Sequence, residues 1–409
     1  MQGIALSLMI GGCMTANAQT KGHVWGYAFG DYAYIGHGDS AGRGQGIQYK
    51  GMDNTSKGLA LGQSAFDVRR VYLGYDLNIN KKFTAHTLLS YEGNSDAQGH
   101  NVQFLKLAYL QWHNIFPKSD LLIGLEPTPS FGTNTEPLWG YRSVEKTIMD
   151  MRGVDGSTDL GIALAGKIWE AKADSGKHGT AIGYFLQLGN NSGSNPVPGF
   201  SNGSGPFNNT TDQARKVRFN LYLSALNDAL QVGFYTDYVN YGGVHMDSTS
   251  KLYQMATQTI KGYAHYKSKW FGVGFEYFMQ NMKNGEFETF APGIGTSDTT
   301  TATRSGLSIY ANGTIIQKKL GVFARYDIYN PDTKYSYSTT EGFKSALASA
   351  NTYKETFITA GLDWMPAGDP KVHIMPNIWY DGISNGYGSD KLKSDNYMVY
   401  RVTFYYIFK

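Results

Sequence analysis

Few residue patterns in this chain promise chemistry, and most of them fail on context. Gly38, Asp39, Ser40, Ala41 and Gly42 match G-x-S-x-G. A nucleophile elbow, however, joins a strand to a helix by a sharp turn, and here Gly-rich polar sequence lies on both sides. Gly42, Gly44 and Gly46 look like a phosphate-cradling loop, yet no helical pattern follows to aim N-terminal N–H groups at an anion. The nine His show no metal-ligand spacing and the single Cys has no partner, so no cofactor is expected. Asp155 and Asp159 are spaced to share a calcium ion with loop carbonyls, and equally to form a turn ahead of a strand. What remains is charge. Arg70, Lys106, Arg218, Arg325 and Arg401 stand in alternating stretches, and Arg142, Lys146 and Arg152 accompany Glu145 and Trp139 in one distinctive connection. Such groups meet solutes only if a scaffold turns them toward water.

Composition describes that scaffold. The 409 residues are 14% aromatic with 30 Tyr, contain 50 Gly, and are only 17% charged. A membrane barrel accounts for this mixture, because each strand gives one face to lipid and the other to water, with Tyr and Trp gathered in girdles at the interfaces. The seven Trp stand mostly at strand ends, where interface anchoring suffices. Apolar runs such as Ile4 to Ile10 fall short of the roughly 18 residues a spanning helix requires. The net charge of +3, from 36 Lys plus Arg against 33 Asp plus Glu, excludes nucleic-acid binding by bulk electrostatics.

The stretch MQGIALSLMIGGCMTANAQT reads as the apolar core and A-x-A cleavage site of a secretory signal, residues 1–18, with Gln19 opening a single mature domain of residues 19–409. No Lys or Arg precedes the apolar run, which leaves room for a start upstream of Met1. Ile10 to Cys13 also fit a lipoprotein box with Cys13 acylated. Both readings export the chain.

A period of two runs through the mature domain. In YMVYRVTFYYIFK, Met398, Tyr400, Val402, Phe404, Tyr406 and Phe408 form one apolar row with Arg401 and Thr403 opposite. RKVRFNLYLSAL sets Lys216 and Arg218 against Val217 and Phe219, and KKLGVFARYDIYN sets Arg325 and Asp327 against Ala324 and Tyr326. WFGVGFEYFMQ alternates in the same way, with Glu276 and Gln280 on the polar face. Sixteen strands are expected, at 24–35, 65–79, 82–93, 102–113, 119–126, 159–169, 178–189, 215–225, 228–240, 252–267, 269–280, 303–314, 318–329, 353–365, 370–380 and 397–408. An even number closes an antiparallel up-and-down β-barrel, an all-β transmembrane fold, with both termini on the periplasmic side. The breaks at Asn227–Asp228, Ser268–Lys269 and Gln317–Lys319 suit periplasmic turns, while 36–64, 190–214, 281–302 and 331–352 are long, polar and outward. Residues 127–158, PTPSFGTNTEPLWGYRSVEKTIMDMRGVDGST, mix Pro, Trp and both signs of charge after the fifth strand. This segment is expected to fold into the lumen and constrict it.

Several of these stretches resemble the phosphate-selective porin O and P family. FDVRRVYLGYDL at 66–77 is similar to its Phe-x-x-Arg-Arg strand, followed in order by LKLAYLQW at 105–112 and LLIGLEPTPSF at 121–131. Glu145 with Lys146 and DLGIALAGKI at 159–168 continue the likeness, which covers about residues 60–170. Thr158 and Leu125 depart from the family's basic residue and Gln, so the resemblance speaks more for architecture than for phosphate preference. It implies an outer-membrane channel for passive diffusion of small hydrophilic solutes, in which lumen cations pass a hydrated anion between weak sites. Arg70, Lys106, Arg218, Arg325 and Arg401 would line the wall, with Arg142, Lys146 and Arg152 in the constriction. The loop's three cations stand against Glu136, Glu145, Asp150 and Asp155, a net charge of minus one. Opposed signs on facing walls would instead give a general porin that orients polar solutes. For Arg70 and Arg325 the plain alternative is structural pairing with Asp76 or Asp327. Trp139 could touch solutes from the inward loop. Outer-membrane lipid is the expected surrounding, and a homotrimer is expected by analogy. The competing function is a non-conducting barrel whose long loops bind a partner; a barrel enzyme ranks third.

Overall fold

Strict alternation gives a strand one apolar and one polar face, and a chain of such strands must close if no edge is to meet lipid. The computed structural model describes residues 21–39, 61–95, 101–171, 179–191, 215–245, 252–289, 297–333, 354–384 and 394–408. The signal segment 1–18 and Ser40 with Gly42, Gly44 and Gly46 lie outside the described residues. The chain builds β1 (Lys21–His37), β2 (Ser64–Asn78), β3 (Phe83–Ser95), β4 (Asn101–Phe116) and β5 (Ser119–Pro127). After the connection 128–157 come β6 (Thr158–Ala171), β7 (Thr180–Gly189), β8 (Lys216–Ala225), β9 (Leu230–His245), β10 (Leu252–Lys267) and β11 (Phe271–Thr289). The set ends with β12 (Ser297–Ile316), β13 (Leu320–Asn330), β14 (Glu355–Trp364), β15 (Val372–Ile383) and β16 (Asp395–Phe408). Every strand pairs antiparallel with its sequence neighbours, and β1 also pairs with β16, where Gly26 faces Phe408 and Tyr34 faces Tyr400. The barrel of sixteen strands is closed.

The two faces separate as the pattern requires. On β16, Tyr400, Val402, Tyr406 and Phe408 are exposed on the outside, while Val399, Arg401 and Thr403 are buried within. Exposed Val217, Val322, Val273 and Ile378 carry the same apolar belt round the wall. On a soluble protein so large an apolar surface would drive aggregation; a bilayer matches it, and the chain is an outer-membrane barrel. The short turns lie at one end. Asn227 and Asp228 both adopt positive φ, which these two residue types tolerate well.

Two irregularities matter for the lumen. Arg70 is paired with Phe29 and Val68 with Gly30, so Arg69 is an extra residue in β2. Leu107 is paired with Leu88 and Leu105 with Leu89, so Lys106 is extra in β4. A bulge breaks the alternation locally and re-aims side chains. Both Arg69 and Arg70 consequently hydrogen-bond to groups inside the barrel.

The connection 128–157 folds inward. It holds two short helices, α1 (Thr135–Trp139) and α2 (Ile148–Met151). Asn134 caps α1 by accepting from the Thr135 N–H, and Gly140 ends it at φ 74°, where a side chain would be strained. Loop residues then join the inner wall in shared apolar clusters: Phe131, Ile148, Met149 and Val154 with Tyr235, Phe278 and Tyr329.

Candidate functional site: the lumen and its inward loop

A loop inside a barrel carries backbone carbonyls away from bulk water, and each needs a donor. Wall cations supply them. Arg69 donates to the carbonyls of Ser143 and Val144, and Arg401 to that of Val144 at 3.1 Å. Arg325 donates to the Lys146 carbonyl, and Arg304 to those of Arg152 and Gly153 at 3.3 and 3.1 Å. Lys261, fully buried, reaches the Ser130 carbonyl at 2.5 Å and Asn134 Oδ1 at 2.9 Å. Guanidinium suits this task, since its five N–H groups form a fixed fork that holds a carbonyl and a carboxylate at once. Arg69 and Arg401 share Asp31, at 2.5 and 3.7 Å, and Arg325 pairs with Asp327.

The loop returns the contacts with its own charges. Arg152 pairs with Glu355 and, at 3.6 Å, with Asp381; all three side chains are buried. Asp155 binds Lys216 at 2.9 Å and Arg218 at 2.8 Å, and Arg218 also holds Asp159 at 2.7 Å. Burial alone would raise the Asp155 carboxyl, but Arg218 and Lys216 hold it far below the usual carboxylate range. Trp139 donates Nε1–H to the Glu145 carbonyl at 3.0 Å and packs its ring on Tyr310 and Phe323. Glu145 is itself buried and accepts from the Lys146 N–H.

The other face of the loop is different. Arg142 pairs with Glu136 and Asp150, and Lys146 reaches Asp150 at 3.4 Å, yet these side chains keep between 11% and 33% of their surface exposed. Burial would raise Asp150, but Arg142 and Lys146 hold it below its ordinary value, with a smaller contribution from Lys106 on the wall. Lys106 and Arg70 share Glu92, which also accepts from Ser90 and Tyr72. Two mixed-charge clusters therefore face each other, Glu136–Arg142–Lys146–Asp150 on the loop and Arg70–Glu92–Lys106 on β2, β3 and β4.

The structure thus divides the residues singled out from sequence. Arg70, Lys106, Arg142 and Lys146 come together around partly exposed charge. Arg152, Arg218, Arg325, Arg401, Glu145 and Trp139 are instead buried in the contact between loop and wall, where protein groups occupy them. Arg325 does pair with Asp327, whereas Arg70 takes Glu92, because Asp76 lies six residues along the same strand, about 20 Å away, where it binds Trp25 and His86. Asp155 and Asp159 converge on Arg218 rather than on a cation site, and no group of three metal-ligating side chains occurs among the described residues. Sequence patterning does not single out Arg69, Lys261 or Arg304. Signals were nevertheless present: Arg69 is the first Arg of the Phe-x-x-Arg-Arg stretch, and Lys261 stands in the inward row Thr259, Lys261, Tyr263, His265.

A closed sixteen-stranded barrel with the connection after its fifth strand folded into a charged lumen is the architecture of the outer-membrane porins. Solved structures share it. The outer membrane channel DcaP of Acinetobacter baumannii is similar with a TM-score of 0.62 at 11% identity, covering 96% of this chain and 99% of that one. The Salmonella typhi OmpF complex with daunomycin gives 0.52 at 11% identity over 95% and 98% of the two chains. OmpT, an outer membrane protein of Vibrio cholerae, gives 0.51 at 10% identity over 96% and 99%. At such identities the likeness is one of fold. No family model and no curated protein matches the chain.

Proposed function

We propose that the protein is a general porin, a passive channel through which small hydrophilic solutes cross the outer membrane. One observation carries the reading: the inward loop is fixed to one side of the lumen by buried pairs, while its other side and the facing β2–β4 wall keep partly exposed charges of both signs. A loop used only as packing has no reason to present that second face. The fold it shares with a protein described as an outer membrane channel supports the same reading.

Beside the passage, Arg70 and Lys106 share Glu92 on the wall while Arg142 and Lys146 pair with Glu136 and Asp150 on the loop, so each of these four cations has a carboxylate within 4 Å. Cations neutralised in this way offer little to collect anions, so preference for anions or phosphate is the weaker form of the proposal. Cleavage after residue 18, trimeric assembly and kinship with the phosphate-selective porins belong to the same proposal. Swelling of proteoliposomes in solutes of graded size tests it. Fast influx of small uncharged solutes with a sharp upper size limit is expected; liposomes that do not swell in any of them would refute it.

A further inference from the structure

Below the loop, on the side of the short turns, lies a cavity of about 690 Å³. Its chemistry differs from that of the charged passage. One row of paired residues crosses its wall in the order Gly183, Tyr222, Gly233, Tyr263, on β7, β8, β9 and β10. Each tyrosine folds flat onto a glycine of the preceding strand: a Cβ on Gly183 would run into the Tyr222 ring, and one on Gly233 into the Tyr263 ring. Glycine is required at both positions, because any side chain would lift the ring off the wall. Such cross-strand covering of glycine also steadies a sheet. Stability alone, however, does not explain what surrounds the rings.

Tyr263 is nearly buried and donates its hydroxyl to Asn220, while Tyr222 is half-buried, with one ring face on Gly183 and the remainder lining the cavity. Gln231 stands in the same lining, with the half-buried ring of Tyr109 and with Gln111, whose amide is held by Asp120 at 2.7 Å and His86 at 3.0 Å. The Tyr222 hydroxyl and the Gln231 amide have no hydrogen-bond partner among the described residues. Charges line the cavity too: Glu170 holds both Lys167 at 2.5 Å and Lys118 at 3.4 Å, and Asp120 holds His113 at 3.0 Å, so the two lysines balance the two carboxylates in formal charge. A flat aromatic face beside neutral amides, in a lining with no net formal charge, fits a solute that has one apolar face and a rim of hydroxyls. An anion gains little there.

We infer that this vestibule is a binding subsite for a neutral sugar, one ring stacked on Tyr222 with its hydroxyls bonded to Gln231 and Asn220. The inference deepens the porin reading by naming a solute class, but binding does not require conduction, so the two are tested apart. The probe is maltose, titrated calorimetrically into the protein in an amine-oxide detergent that carries no sugar headgroup. Saturable binding in the range of about 1–10 mM is expected, as suits one stacked ring and a few hydrogen bonds. Tyr222→Ala should weaken it at least tenfold, and Tyr222→Phe, which keeps the ring, less than threefold. Heat-dependent gel migration certifies that each variant remains a folded barrel, and Gln231→Ala, which leaves the Gly–Tyr row intact, should weaken binding severalfold. Absence of saturable heat up to 100 mM, or equal affinity in wild type, Tyr222→Ala and Gln231→Ala, would overturn the inference. A protein that binds maltose yet stays electrically silent in bilayers would leave the subsite standing and remove the channel.

Discussion

The two sides of the inward loop are built from similar residues and behave in opposite ways. Toward β8–β16 and β1, and at Arg69 of β2, arginine, lysine and carboxylate are buried, matched, and fastened to loop carbonyls. Toward Arg70, Glu92 and Lys106 on β2, β3 and β4, the same residue types are paired but keep part of their surface. Charge in a lumen is therefore not by itself evidence of solute contact. Its burial and the length of its partner list decide whether it is a fastening or a lining, since a buried charge must be matched to be tolerated at all.

Removing a fastening should have the largest effect. Arg152→Ala leaves Glu355 and Asp381 facing each other without their cation. It should cost about 3–5 kcal/mol of stability, as breaking a buried pair does, visible as a much lower unfolding temperature in detergent. Asp155→Asn comes next. It keeps the shape but loses the charge that binds Lys216 and Arg218, at about 2–3 kcal/mol. Because the folded-state Asp155 carboxyl is depressed, its stabilisation is complete above the ordinary Asp value of about 4 and is lost only as pH falls through the lower folded value. The difference in unfolding temperature between wild type and Asp155→Asn should stay constant from pH 8 to about 4 and shrink below that. A difference that vanishes between pH 7 and 5 would show that the pair is not formed as described.

On the lining side, effects should appear chiefly in transport. Lys106→Glu reverses one of the charges facing the passage, and a reversal potential under a salt gradient should move toward cation preference by a few-fold in permeability ratio. An unchanged potential would place the selective charges elsewhere. The smallest effect belongs to the exposed pair at the rim. Lys167→Ala removes a partner of Glu170 where both side chains are exposed to solvent, so the unfolding temperature should not change measurably.

The contrast also explains what could be read from sequence. The barrel was legible because lipid enforces alternation: the strand expected at 252–267 is Leu252–Lys267, and the inward loop expected at 127–158 runs from 128 to 157. Strand ends were less legible. The strand expected to stop at 280 continues to Thr289, since beyond the bilayer nothing requires an apolar face. Inward direction failed at the bulge, because counting in twos lets only one of Arg69 and Arg70 face the lumen. Partners were hidden as well. Arg152 meets Glu355 across 203 positions, a distance bridged only once the loop has folded inside the closed wall.

The central claim is a water-filled passage between a fastened loop and an open wall, and single-channel recording in planar bilayers tests it most directly. Wild-type protein should insert in discrete conductance steps, and Arg152→Ala, with the loop partly released, should give larger and noisier ones. Wild-type protein that is folded by heat-dependent migration and inserted in the bilayer, yet passes no current, would contradict the account.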